Sequence, residues 1–184
     1  MKKIAIFGST GSIGTSLINI IAKDKKKIKI ILLTANTNYK KLIEQVKFFN
    51  VKNIIITDEK SYLISKKILK KKNINIYNNF DSLKIIFKKN RIDYTMSAIS
   101  GFDGLKPTLD MIKFTKVIAI ANKESIICGW HLIKMNLNKY NTKFIPVDSE
   151  HFSIWSLIGT DKCDNLEKIY ITASGGPFRK YPLD

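Results

Sequence analysis

Short β-branched runs alternate with amphipathic stretches through most of this chain, and that rhythm limits the possible folds more than any other feature of the sequence. Seven of the runs are predicted to be strands: Lys3–Phe7, Ile28–Leu33, Asn53–Thr57, Ile74–Tyr77, Tyr94–Ala98, Val117–Ile120 and Lys143–Val147. Six of the stretches between them have helical periodicity: Ser12–Ala22, Tyr39–Phe49, Ser61–Lys71, Ser82–Lys88, Leu105–Phe114 and Lys123–Asn138. Several strands are apolar throughout, as is typical when helices cover both faces of a parallel sheet. The sequence therefore predicts an α/β fold, a doubly wound parallel sheet with helices on both faces.

The rhythm changes after Val147, which we interpret as a domain boundary. A short helix-like segment, Phe152–Ile158, is followed by a polar turn, a strand predicted over Glu167–Ala173 and a glycine-rich turn that begins at Ser174. This last strand has no evident partner downstream. We therefore expect a first domain over residues 1–147 and an incomplete second domain over residues 148–184, so that the chain is a fragment.

The net charge of +17 raises the question of nucleic-acid binding, because a basic surface attracts phosphate backbones whatever their sequence. The charge is carried almost entirely by lysine, with Arg91 and Arg179 as the arginines. The lysines are spread along the predicted helices, which favours solvated helix faces over a nucleic-acid site. We expect no nucleic-acid partner.

Membrane and secretory classes are also disfavoured. No apolar run approaches the ~20 residues of a membrane-spanning helix. The apolar run that follows Lys3 is shorter than the roughly 7–15 residues of a secretory signal. Cys128 and Cys163 lack Cys-x-x-Cys spacing, so both are expected to be reduced thiols. These features predict a cytoplasmic protein without a membrane partner.

A glycine-rich turn over residues 8–14, Gly-Ser-Thr-Gly-Ser-Ile-Gly, follows the first predicted strand and opens the first predicted helix. Glycine permits a tight turn and lets backbone N–H groups approach a pyrophosphate at the positive end of a helix. The spacing differs from the commoner Gly-x-Gly-x-x-Gly, and an ordinary strand–helix turn is the alternative. Its place in the first βα unit favours a Rossmann-type dinucleotide site.

The end of the second predicted strand bears on the choice of dinucleotide. Folds that bind NAD usually place an acid there, on the ribose 2′-hydroxyl. Here residues 34–38 read Thr-Ala-Asn-Thr-Asn, without a carboxylate, and Lys40 or Lys41 lies close by. A 2′-phosphate would be tolerated at such a site, which favours NADP(H).

Two further segments lie at the carboxyl edge of the predicted sheet, where ligands bind. The small residues of Ser97–Gly101 suit either a backbone passing close to a cofactor or simple packing. Asn122 is a plausible N-cap, and Lys123 lies in the first helical turn, where a cation meets the positive helix end. That placement favours an anionic or polar ligand near Lys123, although an ordinary surface lysine is the alternative.

Two carboxylates, Asp148 and Glu150, form a sharper pattern. In extended backbone they would face the same way, about 6–7 Å apart at Cα, and would repel by about 2.5 kcal/mol at an effective dielectric of ~20. A divalent cation would relieve that repulsion, and all-oxygen ligation suits Mg²⁺ or Mn²⁺. A solvated acidic turn explains the spacing equally well. His151 could ligate the metal, but a packed histidine or one that supports the site is favoured, and Trp130 and Trp155 are expected in the core.

Four motifs occur in an order that closely resembles the 1-deoxy-D-xylulose 5-phosphate reductoisomerases. They are residues 8–14, the Ala-Asn-Lys-Glu-Ser of residues 121–125, the Pro-Val-Asp-Ser-Glu-His of residues 146–151 and the Ser-Gly-Gly-Pro-Phe-Arg of residues 174–179. The resemblance covers the whole chain but only the N-terminal part of that family. It implies an enzyme of non-mevalonate isoprenoid synthesis. Such an enzyme rearranges 1-deoxy-D-xylulose 5-phosphate and reduces the product with NADPH to 2-C-methyl-D-erythritol 4-phosphate, assisted by a divalent metal.

The resemblance also implies roles for individual residues. The NADPH site would be formed by Thr10, Gly11, Ser12, Ile13, Asn36, Asn38, Asn122 and Glu124. Asp148 and Glu150 would bind Mg²⁺ or Mn²⁺, with Lys123 and Glu150 as catalytic residues. The phosphosugar substrate would touch Lys123, Ser149, Glu150 and Ser174. Residues 148–184 would then begin an α+β catalytic domain.

Departures from the family pattern qualify these expectations. Some members carry a glycine and a basic residue where this chain has Asn36 and Thr37. The family also has a third metal-binding carboxylate, a mobile loop and further phosphate ligands beyond Asp184. We therefore expect the chain to bind NADPH but to be inactive alone, and the full-length protein to be a homodimer. A non-catalytic NADP(H)-binding sensor and a basic nucleic-acid-binding protein are the alternatives.

Overall fold

The computed structural model describes residues 1–70, 72–88, 90–158 and 166–170. It divides into two compact units, Met1–Val147 and Asp148–Asp184, and each is described by itself. Five predicted features lie outside the described residues: the helix end at Lys71, the polar turn after Ile158, Cys163, Ser174 with its glycine-rich turn, and residues 171–173 of the last predicted strand.

The described residues of the first unit form seven strands and six α-helices. The strands are β1 Lys2–Phe7, β2 Ile28–Ala35, β3 Asn53–Ile56, β4 Asn75–Tyr77, β5 Ile92–Ser97, β6 Thr115–Ile120 and β7 Lys143–Pro146. The helices are α1 Ser12–Lys23, α2 Tyr39–Phe49, α3 Glu59–Leu69, α4 Leu83–Phe87, α5 Leu105–Ile112 and α6 Lys123–Tyr140. Short 3₁₀ helices at Phe80–Ser82 and Phe102–Gly104 precede α4 and α5.

All seven strands pair in parallel, in the order β4-β3-β2-β1-β5-β6-β7. The chain therefore winds outward from β1 in one direction as far as β4, and then in the other from β5 to β7. Phe7 at the end of β1 is in register with Ser97 at the end of β5. The predicted doubly wound parallel sheet is confirmed, and its switch point lies between β1 and β5.

The core consists of two apolar layers, one on each face of the sheet. Alternation along β1 sends Ile4 and Ile6 into one layer and Ala5 and Phe7 into the other. The first layer is completed by buried residues of α1, α2 and α3, and the second by those of α4, α5 and α6. Burial on both faces explains why the strands are almost continuously apolar.

Asparagine and aspartate side chains set several helix boundaries. Asn38, Asp58 and Asn122 cap α2, α3 and α6 by accepting a hydrogen bond from the backbone N–H three residues later. Asn50 and Asn141 end α2 and α6 in the left-handed conformation, with φ of 52° and 48°. This residue type tolerates left-handed backbone better than most. The predicted role of Asn122 as an N-cap is confirmed.

The structure differs from the sequence prediction in several places. β2 continues to Ala35, and the predicted helix Ser82–Lys88 is a 3₁₀ turn followed by the short α4. In the second unit, helix α7 spans Ser149–Ile158, beginning three residues before the predicted start. Residues 167–170 of the predicted strand Glu167–Ala173 have no regular secondary structure. Within the part of the chain that the structure describes, no helix is long and apolar enough to cross a membrane.

Candidate functional site

The switch point of the sheet positions the candidate cofactor site. In doubly wound sheets, ligands bind in the crevice at the carboxyl ends of the strands where the strand order reverses. The turn after β1 and the loop after β5 meet at that crevice, with the Ala98 N–H donating to Phe7 O at 3.1 Å. The approach is so close that a Cβ added to Gly8 would lie 2.5 Å from Ala98 O.

The glycine turn is anchored to β2 by its own backbone. Gly8 has a φ of +70°, in the left-handed region that favours glycine. Its N–H donates to Thr34 Oγ1 at 2.9 Å, and the Ser9 N–H donates to Thr34 O at 2.9 Å. Gly14 packs against the same turn, since an added Cβ would lie 2.6 Å from Ser9 Cα. The turn is thereby held in one conformation before any ligand binds.

The N-terminus of α1 has no side-chain cap. Its N-cap is Gly11, which has no side chain to accept a hydrogen bond, whereas α2, α3 and α6 are capped. The Gly11 N–H turns back to Gly8 O at 3.1 Å. Helical geometry leaves the N–H groups of Ser12, Ile13 and Gly14 without an intrahelical acceptor. An anion such as a pyrophosphate would be stabilised at this end by these donors and by the helix dipole.

Gln45 on α2 holds the glycine turn by two hydrogen bonds, a role that was not predicted from the sequence. Ser9 Oγ donates to Gln45 Oε1 at 2.7 Å, and Gln45 Nε2 donates to Ser9 O at 2.9 Å. Both residues are buried. The available signal was a polar residue on the apolar face of α2, between Leu42 and Val46 at helical spacing.

We expect Gln45→Ala to destabilise the first unit by about 1–3 kcal/mol, because the buried Ser9 carbonyl would lose its donor and Ser9 Oγ would keep only its longer bond to Thr34 O. The displaced turn should also weaken NADPH binding several-fold. Chemical denaturation and a fluorescence titration measure the two effects. Glu44→Ala, at an exposed position one residue earlier on α2, is the matched control and should change neither. Equal behaviour of the two variants would contradict the support role.

Two neighbouring cavities collect most of the predicted cofactor residues. The larger, of about 740 Å³, is lined by Thr10, Gly11 and Asn36 on its polar side. Its apolar side is formed by Phe80, Phe102, Leu105, Pro107 and Leu109. The smaller, of about 270 Å³, is lined by Ile13, Asn122, Lys123 and Glu124. The volume of the larger cavity falls within the range of small-molecule sites.

The loop after β5 lines both cavities. Ala98, Ile99 and Ser100 face both cavities, as a cofactor-contacting loop would. Ser97 is buried instead, and its hydroxyl lies 2.7 Å from that of Thr108. Packing therefore explains Ser97, and closeness to the cavities explains the residues that follow it.

The Asn122 side chain hydrogen-bonds to backbone groups of the protein. Its Oδ1 accepts from the Ser125 N–H at 2.9 Å, and its Nδ2 donates to Ile99 O and Gly101 O at 2.5 Å each. Both amide hydrogens are thus used to hold the loop after β5. The side chain positions the cavity wall, while the next residues, Lys123 and Glu124, are exposed at the smaller cavity.

Two predicted cofactor residues line neither cavity. Ser12 contributes its N–H to the open end of α1, and its carbonyl accepts from Ser16 Oγ at 3.1 Å. Asn38 caps α2 by accepting from the Lys41 N–H at 3.3 Å. The sequence expectation that Trp130 and Trp155 lie in the core is wrong: 40% and 41% of these side chains are exposed. Each contacts one aromatic neighbour, Phe144 and Phe152 respectively, in place of full burial.

The predicted metal ligands Asp148 and Glu150 lie at the start of α7 in the second unit. The expected extended backbone through this pair is wrong. α7 begins at Ser149, and Asp148 precedes it with its Oδ1 accepting from the His151 N–H at 2.8 Å. This is N-cap geometry, which an aspartate favours. The pair is therefore related by a helical turn and not by strand alternation.

Asp148 has the properties of a metal ligand with a supporting histidine. Its Oδ1 also lies 2.6 Å from His151 Nδ1. Its Oδ2 is buried and has no hydrogen-bond partner in the described part of the chain. Burial alone would raise the pKa of the Asp148 carboxyl, but the hydrogen bonds from His151 outweigh it, so the pKa lies below its ordinary value. The carboxylate is therefore ionised at neutral pH, with one oxygen left for a cation.

The donor set fits Mg²⁺ or Mn²⁺ but is incomplete. Glu150 is the second residue of α7 and is exposed. Its Oε2 accepts a hydrogen bond from Ser149 Oγ at 2.9 Å. Carboxylate oxygens are the ligands that hard divalent cations prefer. Among the described residues, no three His, Cys, Asp or Glu side chains come together as a metal site. His151 takes the supporting position that the sequence predicted for it, on the carboxylate of Asp148.

Comparisons with known proteins agree on one family. The family model for 1-deoxy-D-xylulose 5-phosphate reductoisomerase matches residues 4–129, and the model for its C-terminal domain matches residues 144–184. The 1-deoxy-D-xylulose 5-phosphate reductoisomerase of Pelagibacter ubique is 70% identical over 184 residues, which are 100% of this chain and 47% of that protein. The corresponding protein of Phocaeicola vulgatus is 39% identical over 183 residues, again 47% of its length.

Solved structures give the same result. The enzyme from Zymomonas mobilis, in complex with NADPH, has a TM-score of 0.89 and 36% identity, covering 98% of this chain and 48% of that one. A DOX-P reductoisomerase in complex with NADPH, fosmidomycin and magnesium has a TM-score of 0.75 and 29% identity, covering 82% of this chain and 37% of that one. The chain thus spans about half the length of the curated relatives it matches.

Proposed function

This chain belongs to the 1-deoxy-D-xylulose 5-phosphate reductoisomerase family, and we propose that its first unit binds NADPH while its second begins a metal- and phosphosugar-binding part. The proposed activity of a protein of full family length is the NADPH-dependent conversion of 1-deoxy-D-xylulose 5-phosphate to 2-C-methyl-D-erythritol 4-phosphate. That reaction belongs to the non-mevalonate isoprenoid pathway. The relatives crystallised with NADPH support the cofactor.

The observation that carries the proposal is the open N-terminus of α1 at the switch point of the sheet. Helices α2, α3 and α6 are closed by a side-chain cap, and α1 is not. Helix α5 also lacks a side-chain cap, but it follows directly from a 3₁₀ turn. Ser12 and Ile13 would donate their N–H groups to the cofactor pyrophosphate, next to Thr10 and Gly11. Asn36 and Asn38 would contact the adenosine end of the cofactor. Asn122 and Glu124 would contact the part of the cofactor that lies in the smaller cavity. The larger cavity is wide enough for part of a dinucleotide.

The second unit would hold the metal through Asp148 and Glu150. A bound Mg²⁺ or Mn²⁺ would act as a Lewis acid toward the substrate carbonyl. Asp148 contributes the buried oxygen that has no partner among the described residues, and His151 fixes the orientation of its carboxylate. Lys123, Ser149 and Glu150 would contact the substrate, with Lys123 and Glu150 as the catalytic residues. Ser174 would bind the substrate phosphate.

The 184-residue chain should bind NADPH without turning substrate over. Fluorescence titration with NADPH should give saturable binding, whereas substrate and Mg²⁺ should cause no NADPH oxidation above background. The reason is that the described residues bring together only part of a metal site, and such a site polarises a carbonyl poorly. Gln45→Ala serves as the binding control. Failure to bind NADPH would overturn the cofactor assignment, and substrate-dependent oxidation would overturn the predicted inactivity.

A further inference from the structure

We propose that Lys41 is the cation by which this chain distinguishes NADPH from NADH, through the 2′-phosphate of the cofactor. The inference rests on the proposed function, because it concerns the same cofactor cavity. In dinucleotide-binding folds, the group that reads the ribose 2′ position lies beyond the end of the second strand. In this chain the residue that contacts the 2′ position is therefore expected near the β2–α2 connection.

The end of β2 itself offers no charge. Asn36, Thr37 and Asn38 are exposed and neutral. Asn36 Oδ1 accepts from Thr57 Oγ1 at 3.2 Å, so the group it has left to present is its amide NH₂. Neutral donors of this kind serve a 2′-hydroxyl and a 2′-phosphate alike. They do not account for a preference between the two dinucleotides.

Lys41 connects this region to the phosphate-binding turn. It lies in the first turn of α2, and its backbone N–H is held by the cap residue Asn38. Its side chain crosses to the glycine turn, where Nζ donates to Thr10 O at 3.3 Å. Thr10 and Asn36 line the larger cavity together. The ammonium is therefore held against the glycine turn, at a residue that lines this cavity.

The ammonium keeps donors for a ligand. A lysine ammonium has three N–H groups, and the Thr10 carbonyl takes one of them. Charge-assisted hydrogen bonds to a phosphate are about twice as strong as neutral ones. A 2′-phosphate gains from this charge, whereas a neutral 2′-hydroxyl gains little. The geometry thus favours Lys41 as a group that discriminates between the cofactors.

The neighbouring lysine provides a matched comparison. The Lys40 side chain is exposed and, within the described chain, makes no hydrogen bond or ion pair. Replacing either lysine by methionine removes the same charge from the same turn of α2 and keeps a long apolar stem. Of these two side chains, only that of Lys41 is hydrogen-bonded to the glycine turn in the described chain. A difference between the two variants therefore reports on position and not on net charge.

The test is a titration of the 184-residue chain, as wild type, Lys41→Met and Lys40→Met, with NADPH and with NADH. We expect Lys41→Met to raise the Kd for NADPH about 10- to 100-fold and that for NADH no more than about twofold. Lys40→Met should change both by no more than about twofold, and Lys41→Arg should keep the preference for NADPH. Thermal melts establish that the variants are folded.

Three results would overturn the inference alone. A wild-type chain that binds both dinucleotides equally has no preference to explain. An equal loss of NADPH and NADH affinity in Lys41→Met assigns Lys41 to the shared pyrophosphate, and a selective loss in Lys40→Met assigns the discrimination to Lys40. In these cases the proposed cofactor function stands. A wild-type chain that binds neither dinucleotide would overturn the proposed function and the inference together.

Discussion

Substituting Gly8 by alanine is expected to destabilise the first unit by about 2–4 kcal/mol and to abolish measurable NADPH binding. Two effects add. A non-glycine residue at a φ of +70° is strained, and the new Cβ would lie 2.5 Å from the backbone oxygen of Ala98. That oxygen belongs to the loop after β5, which lines both cavities. The loop or the turn must therefore move, and the site opens.

Gly11→Ala separates the strain at Gly8 from the general cost of adding a methyl group to the turn. Gly11 has an ordinary φ of −73°, and an added Cβ would find its nearest neighbour at 3.4 Å. Its substitution should cost no more than about 1 kcal/mol of stability. Urea denaturation measures both variants, and an NADPH titration follows for those that are folded. A Gly8→Ala variant as stable as wild type would show that the turn is not held as the structure describes.

Substituting Asp148 by asparagine is expected to lower Mn²⁺ affinity at least tenfold while leaving NADPH binding to the first unit unchanged. The amide keeps an oxygen to accept from the His151 N–H, so the start of α7 is retained. It removes the negative charge and replaces the buried, unpartnered Oδ2 with a donor that repels a cation. Loss of one charged ligand from an incomplete set is worth more than about 1.4 kcal/mol.

Electron paramagnetic resonance titration of Mn²⁺ measures this effect directly on the chain. Asp24→Asn is the control, because this substitution makes the same change in net charge. Asp24 is a half-exposed surface acid paired with Lys27. It should bind Mn²⁺ as the wild type does. If the Asp148→Asn variant bound Mn²⁺ with wild-type affinity, Asp148 would not be a metal ligand, even if NADPH binding were intact.

Much of the fold followed from local patterns. Each strand and helix of the first unit was predicted from its own periodicity, because burial on one face or both faces imposes a period that is visible within about ten residues. The glycine turn was predicted for the same reason, since its geometry depends on residues adjacent in the chain. The missing carboxylate at the end of β2 was equally visible. Errors in secondary structure were confined to boundaries and to the weakly periodic second unit.

Contacts between distant elements were not predictable in this way. The pairing of Gln45 with Ser9, the reach of Lys41 to Thr10 and the use of the Asn122 amide on the loop after β5 join residues 21 to 36 positions apart. Trp130 was expected in the core, yet its exposure is set by how α6 packs on the sheet. No periodicity within one element encodes such distances.

The amino-acid sequence by itself determined the strand–helix alternation, the position of the phosphate-binding turn and the lack of charge at the end of β2. These properties depend on side-chain period and on backbone freedom, both of which are local. Only the tertiary structure decided which donors remain open at α1, which oxygen of Asp148 lacks a partner and which lysine reaches the glycine turn. Those outcomes depend on which groups are already hydrogen-bonded once the elements have packed, and packing brings together residues that the chain keeps far apart.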